Sequence, residues 1–379
     1  MPMAPTLSRS PCSCEIASAA PGILTHTPLR RPHPMRSRTL VPTLGAFLES
    51  EEAAHSSTPP DWIHVLTGLA RAGTRIARVV ARTGLTGTLP RTGDRNVHGE
   101  AATRIDKYAH NAVVEEVADA EMLCCIISEE AEDLMPIPSN HPDGGCILAL
   151  DPLDGSSNLG VNVPVGTIFS LLPRSRSGNA RGSGLSLTEI LRPGRDQIAA
   201  GYILYGAATV LVYTSGRGVH GFIRDPESGE FLLNRRDIRI PSPSALHYST
   251  NEAYTRRWDP RQHELVRHFK KAPPEGAKGF SARYIGSLVA DIHRTLLVGG
   301  LFMYPAFRGK PEGKLRLMYE AAPMGLIMEQ AGGRATNGTE DILDIRPRHI
   351  HQRTPLFAGA RELVDVAASH LEEEATDSA

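Results

Sequence analysis

The sequence of 379 residues carries little that would suit a nucleic acid, a membrane or a disulfide-stapled fold. Neither sign of charge dominates, because 41 lysine and arginine residues face 42 aspartate and glutamate residues. Binding along an extended polyanion needs a surplus of cations, so we predict no nucleic-acid partner. No apolar run approaches the roughly 20 residues that a membrane-spanning helix requires, and we expect a soluble, cytoplasmic protein with no membrane partner.

Cysteine is scarce as well. The five cysteines are an odd number with no repeated pair spacing, which predicts neither a disulfide framework nor a zinc module. Cys124 and Cys125 lie in an apolar run. We expect them to be small buried hydrophobic residues in a strand.

The first 48 residues differ in composition from the rest of the chain. They contain one acidic residue, Glu15, together with five arginines and many Ser, Thr and Pro residues. This composition does not bury a core and loosely resembles a transit peptide, although an upstream start codon before Met35 is the interpretation we favour. A polar, proline-containing break at residues 240–243 predicts an N-terminal domain, 49–240, and a C-terminal domain, 241–379.

Hydrophobic periodicity predicts a mixed α/β chain. Helices are predicted at residues 62–82, 100–120, 260–271, 285–297 and 319–330. Strands are predicted at residues 123–128, 146–150, 300–305 and 355–358, with a three-stranded meander at 198–224.

An acidic turn follows the predicted strand at 146–150. Asp151 and Asp154 stand three residues apart with a stiffening proline between them, so two carboxylates and a backbone carbonyl of the turn can aim at one point. This pattern is the outline of a divalent metal site. Residues 155–157 can open a helix whose N–H groups and hydroxyls face an anion. An acid-rich turn that caps a helix fits the same residues, and the turn alone leaves both interpretations open.

More carboxylates stand elsewhere in the chain. Glu129 and Glu130 follow the predicted strand at 123–128, and Glu320 comes shortly after Lys314. Clustered carboxylates repel one another, so their convergence would require cations, typically two Mg²⁺ ions that bridge a phosphate. Spacing along the chain does not show whether they converge.

Several motifs occur in an order that carries a family resemblance. They include Asp-Pro-Leu-Asp-Gly-Ser-Ser-Asn at 151–158 and Gly-Lys-Leu-Arg-Leu-Met-Tyr-Glu at 313–320, with further matches at 127–130, 251–254, 283–294 and 304–305. As an ordered set they resemble class 1 fructose-1,6-bisphosphatases, within the superfamily of metal-dependent, lithium-sensitive sugar and inositol phosphatases. The resemblance implies a layered α-β-α-β-α fold and a homotetramer. It also implies Mg²⁺-dependent hydrolysis of the 1-phosphate of fructose 1,6-bisphosphate, in gluconeogenesis or the Calvin cycle.

The resemblance further implies roles for individual residues. The implied ligands of two or more Mg²⁺ ions per subunit are Glu129, Asp151, the carbonyl of Leu153, Asp154 and Glu320. Glu130, supported by Asp106, would deprotonate the attacking water. The implied substrate-binding residues are Asp154, Gly155, Ser156, Ser157, Asn251, Tyr254, Arg283, Tyr284, Tyr304 and Lys314. Of these, Arg283 would reach the distal phosphate of a neighbouring subunit. Glu100 stands where a similar enzyme carries Asp, which leaves its metal binding open.

Other functions share parts of this pattern. Activity toward sedoheptulose 1,7-bisphosphate, alone or in addition, is the main alternative, because residues 191–202 resemble proteobacterial forms associated with the Calvin cycle. An inositol monophosphatase is disfavoured, since Glu320 stands in Tyr-Glu-Ala-Ala-Pro and not in a Trp-Asp-x-Ala-Gly-like helix start. The complete set of acids disfavours an inactive sugar-phosphate-binding regulator. The segments at 55–62 and 174–196 preserve neither the AMP-binding turn of animal forms nor the regulatory cysteines of plastid forms.

Overall fold

Helices and strands alternate along much of the chain. The computed structural model describes residues 41–53, 62–86, 91–95, 101–137, 145–174, 186–242 and 244–372. The helices are α1 (Leu44–Ala53), α2 (Trp62–Val80), α3 (Thr83–Thr86), α4 (Arg104–Val117), α5 (Leu187–Ile190), α6 (Pro260–Lys270), α7 (Leu288–Val298), α8 (Ala322–Gln330) and α9 (Arg361–Glu372). The strands are β1 (Arg91–Arg95), β2 (Ala101–Thr103), β3 (Leu123–Ser128), β4 (Met135–Pro136), β5 (Cys146–Asp154), β6 (Val165–Pro173), β7 (Ala199–Tyr205), β8 (Thr209–Thr214), β9 (Val219–Arg224), β10 (Phe231–Arg235), β11 (His247–Ser249), β12 (Ser281–Ala282), β13 (Leu301–Tyr304), β14 (Leu315–Arg316), β15 (Arg334–Thr336), β16 (Arg353–Thr354) and β17 (Leu356–Gly359). Residues 1–40 of the predicted extension and Glu100 lie outside the described residues.

The larger sheet has the strand order β10-β9-β8-β7-β6-β5-β3-β4. Strands β7, β8 and β9 pair antiparallel in succession, which confirms the predicted meander. Strand β3 runs parallel to β5, whereas β6 lies antiparallel to both β5 and β7. The C-terminal ends of β3 and β5 therefore lie side by side at one edge of the sheet.

Alternation along β5 shows how this sheet separates two layers. Cys146, Leu148 and Leu150 pack into the core that α2 and α4 cover. Ile147 and Ala149 pack on the opposite face. This period of two is the one that a strand buried on both faces requires.

The second sheet has the strand order β12-β11-β13-β17-β15. Like the larger sheet, it is covered by helices on both faces. Phe302 of β13 and Leu356 of β17 pack with α7 and α8, which also contact the larger sheet. Leu301 and Phe357, one position along each strand, pack with α6 and α9. Helices α7 and α8 thus lie between the two sheets. The predicted five-layer α-β-α-β-α fold is confirmed.

The folded part begins earlier than composition suggested. Helix α1 starts inside the predicted extension of residues 1–48, and its residues Leu44, Phe47 and Leu48 are buried in the core. The predicted boundary at residue 49 is therefore too late. From Val41 onward the chain forms one compact unit, and the predicted division near residue 240 stays a prediction.

Two predicted helices begin at different residues from those the periodicity indicated. The helix predicted at 285–297 starts only at Leu288, because Gly286 has a φ of 89° and Ser287 caps the first turn. The helix predicted at 319–330 begins as a π-helical turn, Leu317–Ala321, and continues as α8.

The elements that the sequence analysis missed include one long strand, β6, and one long helix, α9. Strand β6 is buried along almost its whole length, so its apolar run shows no alternation. Helix α9 buries Leu363, Val364, Ala367 and Leu371 on one face, which is helical spacing that the sequence does carry.

The three cysteines among the described residues lie in the core of the larger sheet. Cys124, Cys125 and Cys146 are buried free thiols in strands β3 and β5, which confirms the expectation for the first two.

Among the described residues, no helix is both long and apolar enough to cross a membrane.

Candidate active site

One cavity gathers nearly all the predicted site residues. It encloses about 520 Å³, and the predicted residues that line it are Asp106, Glu129, Glu130, Asp151, Leu153, Asp154, Gly155, Ser156, Ser157, Asn251, Tyr254, Tyr284, Tyr304, Lys314 and Glu320. Arg283 is the exception, since it is exposed and does not line this cavity. Its role toward a neighbouring subunit stays a prediction.

Two parallel strands deliver carboxylates to the same point. Ser128, at the end of β3, is in register with Leu150 of β5. The Glu129 amide then donates a hydrogen bond to the Leu150 carbonyl at 3.1 Å. Glu129, directly after β3, and Asp151, within β5, therefore lie at the same level on neighbouring strands.

The turn between Asp151 and Asp154 interrupts the pairing of β5 with β6. The Leu153 amide donates to Asp151 Oδ1 at 3.0 Å, and the Thr167 hydroxyl donates to the Pro152 carbonyl at 2.8 Å. These bonds fix the turn from both sides. As in other irregular strand segments, the irregularity redirects side chains toward a site.

Glu320 reaches the two aspartates from a different layer. It lies in the π-helical turn Leu317–Ala321, and its Oε2 accepts a hydrogen bond from the Arg316 amide at 2.5 Å. Carboxylate oxygens of Asp151, Asp154 and Glu320 all lie within 4.8 Å of one another. Single π-helical turns occur frequently at functional sites, because the extra residue re-aims a side chain.

Burial and neighbouring negative charge raise the pKa values of Asp151 and Asp154. Burial is the largest cause for Asp151, whose pKa is raised well above its usual range, and the charges of Glu129, Asp154 and Glu320 add to it. Burial and then the Glu320 charge raise the pKa of Asp154 to about 7. The cluster is therefore costly to ionise without a compensating cation.

The cluster fits a divalent metal ion. Carboxylate oxygens are the ligands that hard cations such as Mg²⁺ prefer. Three of them converge within 4.8 Å, and burial together with neighbouring negative charge raises the pKa values of Asp151 and Asp154, a cost that a bound cation would relieve.

Arg316 is a buried charge that the sequence analysis missed. Its side chain is 3% exposed, and its Nη2 lies 3.3 Å from Glu129 Oε1. Its Nη1 donates to the Lys314 carbonyl at 2.9 Å. The guanidinium offsets part of the negative charge of the cluster. No local signal separates Arg316 from an ordinary surface arginine, because most arginines are exposed.

The start of α7 holds Asp154 in place. Asp154 Oδ2 accepts hydrogen bonds from the Val289 amide at 3.1 Å and from the Ser287 hydroxyl at 3.3 Å. The N-terminus of a helix stabilises negative charge. Ser287 could have been found from the sequence, because a serine directly before an apolar helical run is typical of an N-cap.

Asp291 anchors the loop that leads into α7. This buried carboxylate, 1% exposed, accepts hydrogen bonds from the Ser249 hydroxyl at 2.6 Å and from the amides of Ile285 and Gly286 at 3.0 and 2.9 Å. The Gly286 carbonyl in turn accepts from Asn158 Nδ2 at 2.9 Å. The loop is thus tied to the turn that follows Asp154.

A second group of residues that line the cavity, Asn251, Tyr254, Tyr284, Tyr304 and Lys314, carries hydroxyls, an amide and a cation, and we refer to it as the hydroxyl end. Burial and the neighbouring Tyr304 raise the pKa of Tyr284 to about 12, so its hydroxyl stays a hydrogen-bond donor. Asn251 caps the 3₁₀ turn that carries Tyr254. Lys314 Nζ lies 6.0 Å from the centroid of the Tyr304 ring. Hydroxyl, amide and ammonium groups are suitable donors for a phosphate.

Glu130 and Asp106 face the cavity from two elements. Asp106 is buried in the first turn of α4. The Glu130 amide donates to the Ser128 hydroxyl at 3.2 Å, and that hydroxyl shares a hydrogen bond with His110 Nδ1 at 2.9 Å. This network fixes the backbone that presents Glu130.

A layered fold around a cavity that is lined by clustered carboxylates and by hydroxyls with a cation fits the class of metal-dependent phosphatases. Comparison with known proteins identifies the family within this class. Family models described as the N-terminal and C-terminal domains of fructose-1-6-bisphosphatase match residues 42–236 and 240–372. The chain belongs to the class 1 fructose-1,6-bisphosphatase family.

Individual relatives agree with this family. The class 1 fructose-1,6-bisphosphatase of Maridesulfovibrio salexigens is 46% identical over 313 residues, which cover 82% of this chain and 91% of the relative. A class 1 fructose-1,6-bisphosphatase of a Synechococcus species is 44% identical over 335 residues, covering 87% and 97%. The crystal structure of Leishmania major fructose-1,6-bisphosphatase in holo form is similar with a TM-score of 0.79 at 36% identity, covering 87% of this chain and 98% of that one.

Proposed function

We propose that the protein hydrolyses the 1-phosphate of D-fructose 1,6-bisphosphate to fructose 6-phosphate and phosphate, in gluconeogenesis or the Calvin cycle. The observation that carries the proposal is a single cavity that is lined both by the carboxylate cluster and by a group of hydroxyls with Lys314. A sugar with two phosphates is complementary to it, because one phosphate would meet metal ions and the other would meet hydrogen-bond donors. Family membership supports the same substrate.

Two or more Mg²⁺ ions per subunit would be held by the carboxylates of Glu129, Asp151, Asp154 and Glu320 and by the Leu153 carbonyl. The convergence of three of these carboxylates within 4.8 Å supports this set. Bound there, the ions would neutralise the phosphate charge and stabilise the leaving alkoxide at C1 of the sugar.

Glu130 is the proposed general base. Its carboxylate would orient the attacking water and accept its proton while the bond between phosphorus and the C1 oxygen breaks. Asp106, buried beside the cavity, would support Glu130. Residues 155–157 also line the cavity, and their hydroxyls and N–H groups would contact the phosphate that is cleaved from the sugar.

The distal phosphate would bind at the hydroxyl end of the cavity. The proposed contacts within the subunit are Asn251, Tyr254, Tyr284, Tyr304 and Lys314. Arg283 of a neighbouring subunit would add a cation, and its exposure supports a position at a subunit surface. A cytoplasmic homotetramer is the assembly we propose.

The test is a steady-state assay of phosphate release, with and without Mg²⁺, on three substrates: fructose 1,6-bisphosphate, sedoheptulose 1,7-bisphosphate and inositol 1-phosphate. We expect turnover of fructose 1,6-bisphosphate that requires Mg²⁺. Undiminished turnover in EDTA would exclude the metal assignment, and a preference for inositol 1-phosphate would exclude the substrate. Turnover of sedoheptulose 1,7-bisphosphate would show whether the site accepts a longer sugar chain.

The general base is tested by Glu130→Gln, which should lower kcat roughly a hundredfold or more with little change in metal affinity. Glu132→Gln is the matched control, because Glu132 is an exposed glutamate two residues away that does not line the cavity. A near-normal kcat for Glu130→Gln would remove Glu130 from this role.

A further inference from the structure

A stack of three side chains lies beside the hydroxyl end of the cavity. The guanidinium carbon of Arg257 lies 4.3 Å from the centroid of the Phe307 ring and 5.8 Å from that of the Tyr254 ring. The two rings are themselves stacked, with centroids 4.7 Å apart and 18° between their planes. We refer to Arg257, Phe307 and Tyr254 as the Arg257 stack.

Hydrogen bonds join the same two segments. Arg257 Nε and Nη2 both donate to the Arg308 carbonyl, at 3.0 and 2.9 Å. The Arg308 amide donates back to the Arg257 carbonyl at 2.8 Å. The 3₁₀ turn that carries Tyr254 is therefore tied to the loop after β13 by three hydrogen bonds as well as by the stack.

That loop leads directly to Lys314. The Phe307 and Lys310 backbones exchange hydrogen bonds of 3.3 and 2.7 Å, and the Gly313 amide donates to the Lys310 carbonyl at 3.1 Å. Residues 307–313 are thus folded tightly on themselves. The position of Phe307 consequently constrains the position of Lys314.

We propose that Arg257 is a positioning residue for the distal phosphate. It holds Tyr254 and the loop of Lys314 at a fixed separation, although Arg257 itself is exposed and does not line the cavity. This role rests on the proposed function, in which Tyr254 and Lys314 both bind that phosphate. It depends on the planar guanidinium, which stacks on a ring while two of its N–H groups reach one carbonyl; a lysine ammonium cannot do both.

The test compares Arg257→Ala with Arg257→Lys and measures binding at the two ends of the cavity separately. Loss of a stacked, doubly hydrogen-bonded guanidinium should raise KM for fructose 1,6-bisphosphate roughly tenfold, with kcat changed less than about twofold. The inhibition constant of fructose 6-phosphate should rise by the same factor, because this product keeps only the distal phosphate. The inhibition constant of inorganic phosphate, the other product, should not change. Arg257→Lys should fall between the wild type and Arg257→Ala.

Arg256→Ala is the matched control, since Arg256 is the adjacent exposed arginine and its removal makes the same change in net charge. We expect it to behave as the wild type. An equal rise in KM for Arg256→Ala would show that the loss of one positive charge explains the result for Arg257→Ala, and this would overturn the proposal. Wild-type constants for Arg257→Ala, or a fall in kcat without a rise in KM, would overturn it as well. A wild-type enzyme that released no phosphate from the bisphosphate would instead overturn the proposed function.

Discussion

Removing one charge from the carboxylate cluster is expected to stabilise the metal-free protein while abolishing metal-dependent catalysis. Glu320→Gln keeps the size of the side chain and an acceptor for the Arg316 amide, which donates to Glu320 Oε2 at 2.5 Å. It removes a negative charge whose oxygens lie within 4.8 Å of those of Asp151 and Asp154. Two full charges at that separation repel by roughly 3 kcal/mol at an effective dielectric constant of about 20.

Partial protonation reduces this gain. The pKa of Asp154 is raised to about 7 and that of Asp151 well above its usual range, so the two acids carry only part of their charge near neutral pH. We therefore expect Glu320→Gln to raise the free energy of unfolding by about 1 to 2 kcal/mol, which corresponds to a melting temperature higher by a few degrees. A carboxyl group whose pKa is raised on folding destabilises the folded protein as pH rises. The gain should thus be larger at alkaline than at acidic pH.

The assay is thermal unfolding in EDTA and in a Mg²⁺ titration, with turnover measured in parallel. The wild type should be stabilised by Mg²⁺, because a ligand that binds the folded state alone raises its stability. Glu320→Gln should melt higher than the wild type in EDTA, gain less from Mg²⁺ and release little phosphate. Glu340→Gln, at an exposed glutamate, is the control and should match the wild type. A lower melting temperature for Glu320→Gln in EDTA, or an undiminished gain from Mg²⁺, would refute the reasoning.

Three further predictions concern other parts of the fold. Asp291→Asn should cost about 2 kcal/mol of unfolding free energy in urea titrations and raise KM, because the buried carboxylate holds two loop amides; wild-type values for both would contradict this. Burial lowers the pKa of His293 to about 4. As pH drops from about 6.5 to 4, this imidazole takes up a proton in the unfolded chain before it does so in the folded protein. The free energy of unfolding should therefore fall by about 3 kcal/mol over this range. His293→Gln should flatten that pH profile, and an unchanged profile would count against the assignment. Gly201→Ala should cost about 3 kcal/mol or more in denaturation, since its Cβ would lie 2.5 Å from the Val212 carbonyl oxygen. Gly145→Ala, where nothing lies within 4 Å of the added Cβ, is its control.

Features that depend on neighbouring residues could be predicted from the sequence. The strand predicted at 123–128 matches Leu123–Ser128, and one strand of the meander is Thr209–Thr214 as expected. An uninterrupted apolar run bounded by polar or glycine residues is enough to define such strands. Glu129 and Glu130 were found for the same reason, because they follow the buried run at 123–128 directly.

Features that depend on packing between layers could not be predicted. Glu320 meets Asp151 and Asp154 only because Leu317–Ala321 winds as a π-helical turn, and a period of 3.6 residues gives no sign of an extra residue in the turn. Arg316 is buried because it lies against Glu129 in the folded chain. The family resemblance supplied the expectation that these acids converge, whereas the layered packing supplies the physical reason.

The carboxylate cluster draws its members from two different layers of the fold. Asp151 and Asp154 belong to the larger sheet, and Glu320 precedes α8 in the helical layer between the sheets. A slip of one layer against the other would change the distances between these oxygens, while each sheet and helix kept its own hydrogen bonds. The rate of catalysis therefore depends on the relative position of the two layers. On gradual heating, enzymatic inactivation would come before any loss of far-ultraviolet circular dichroism.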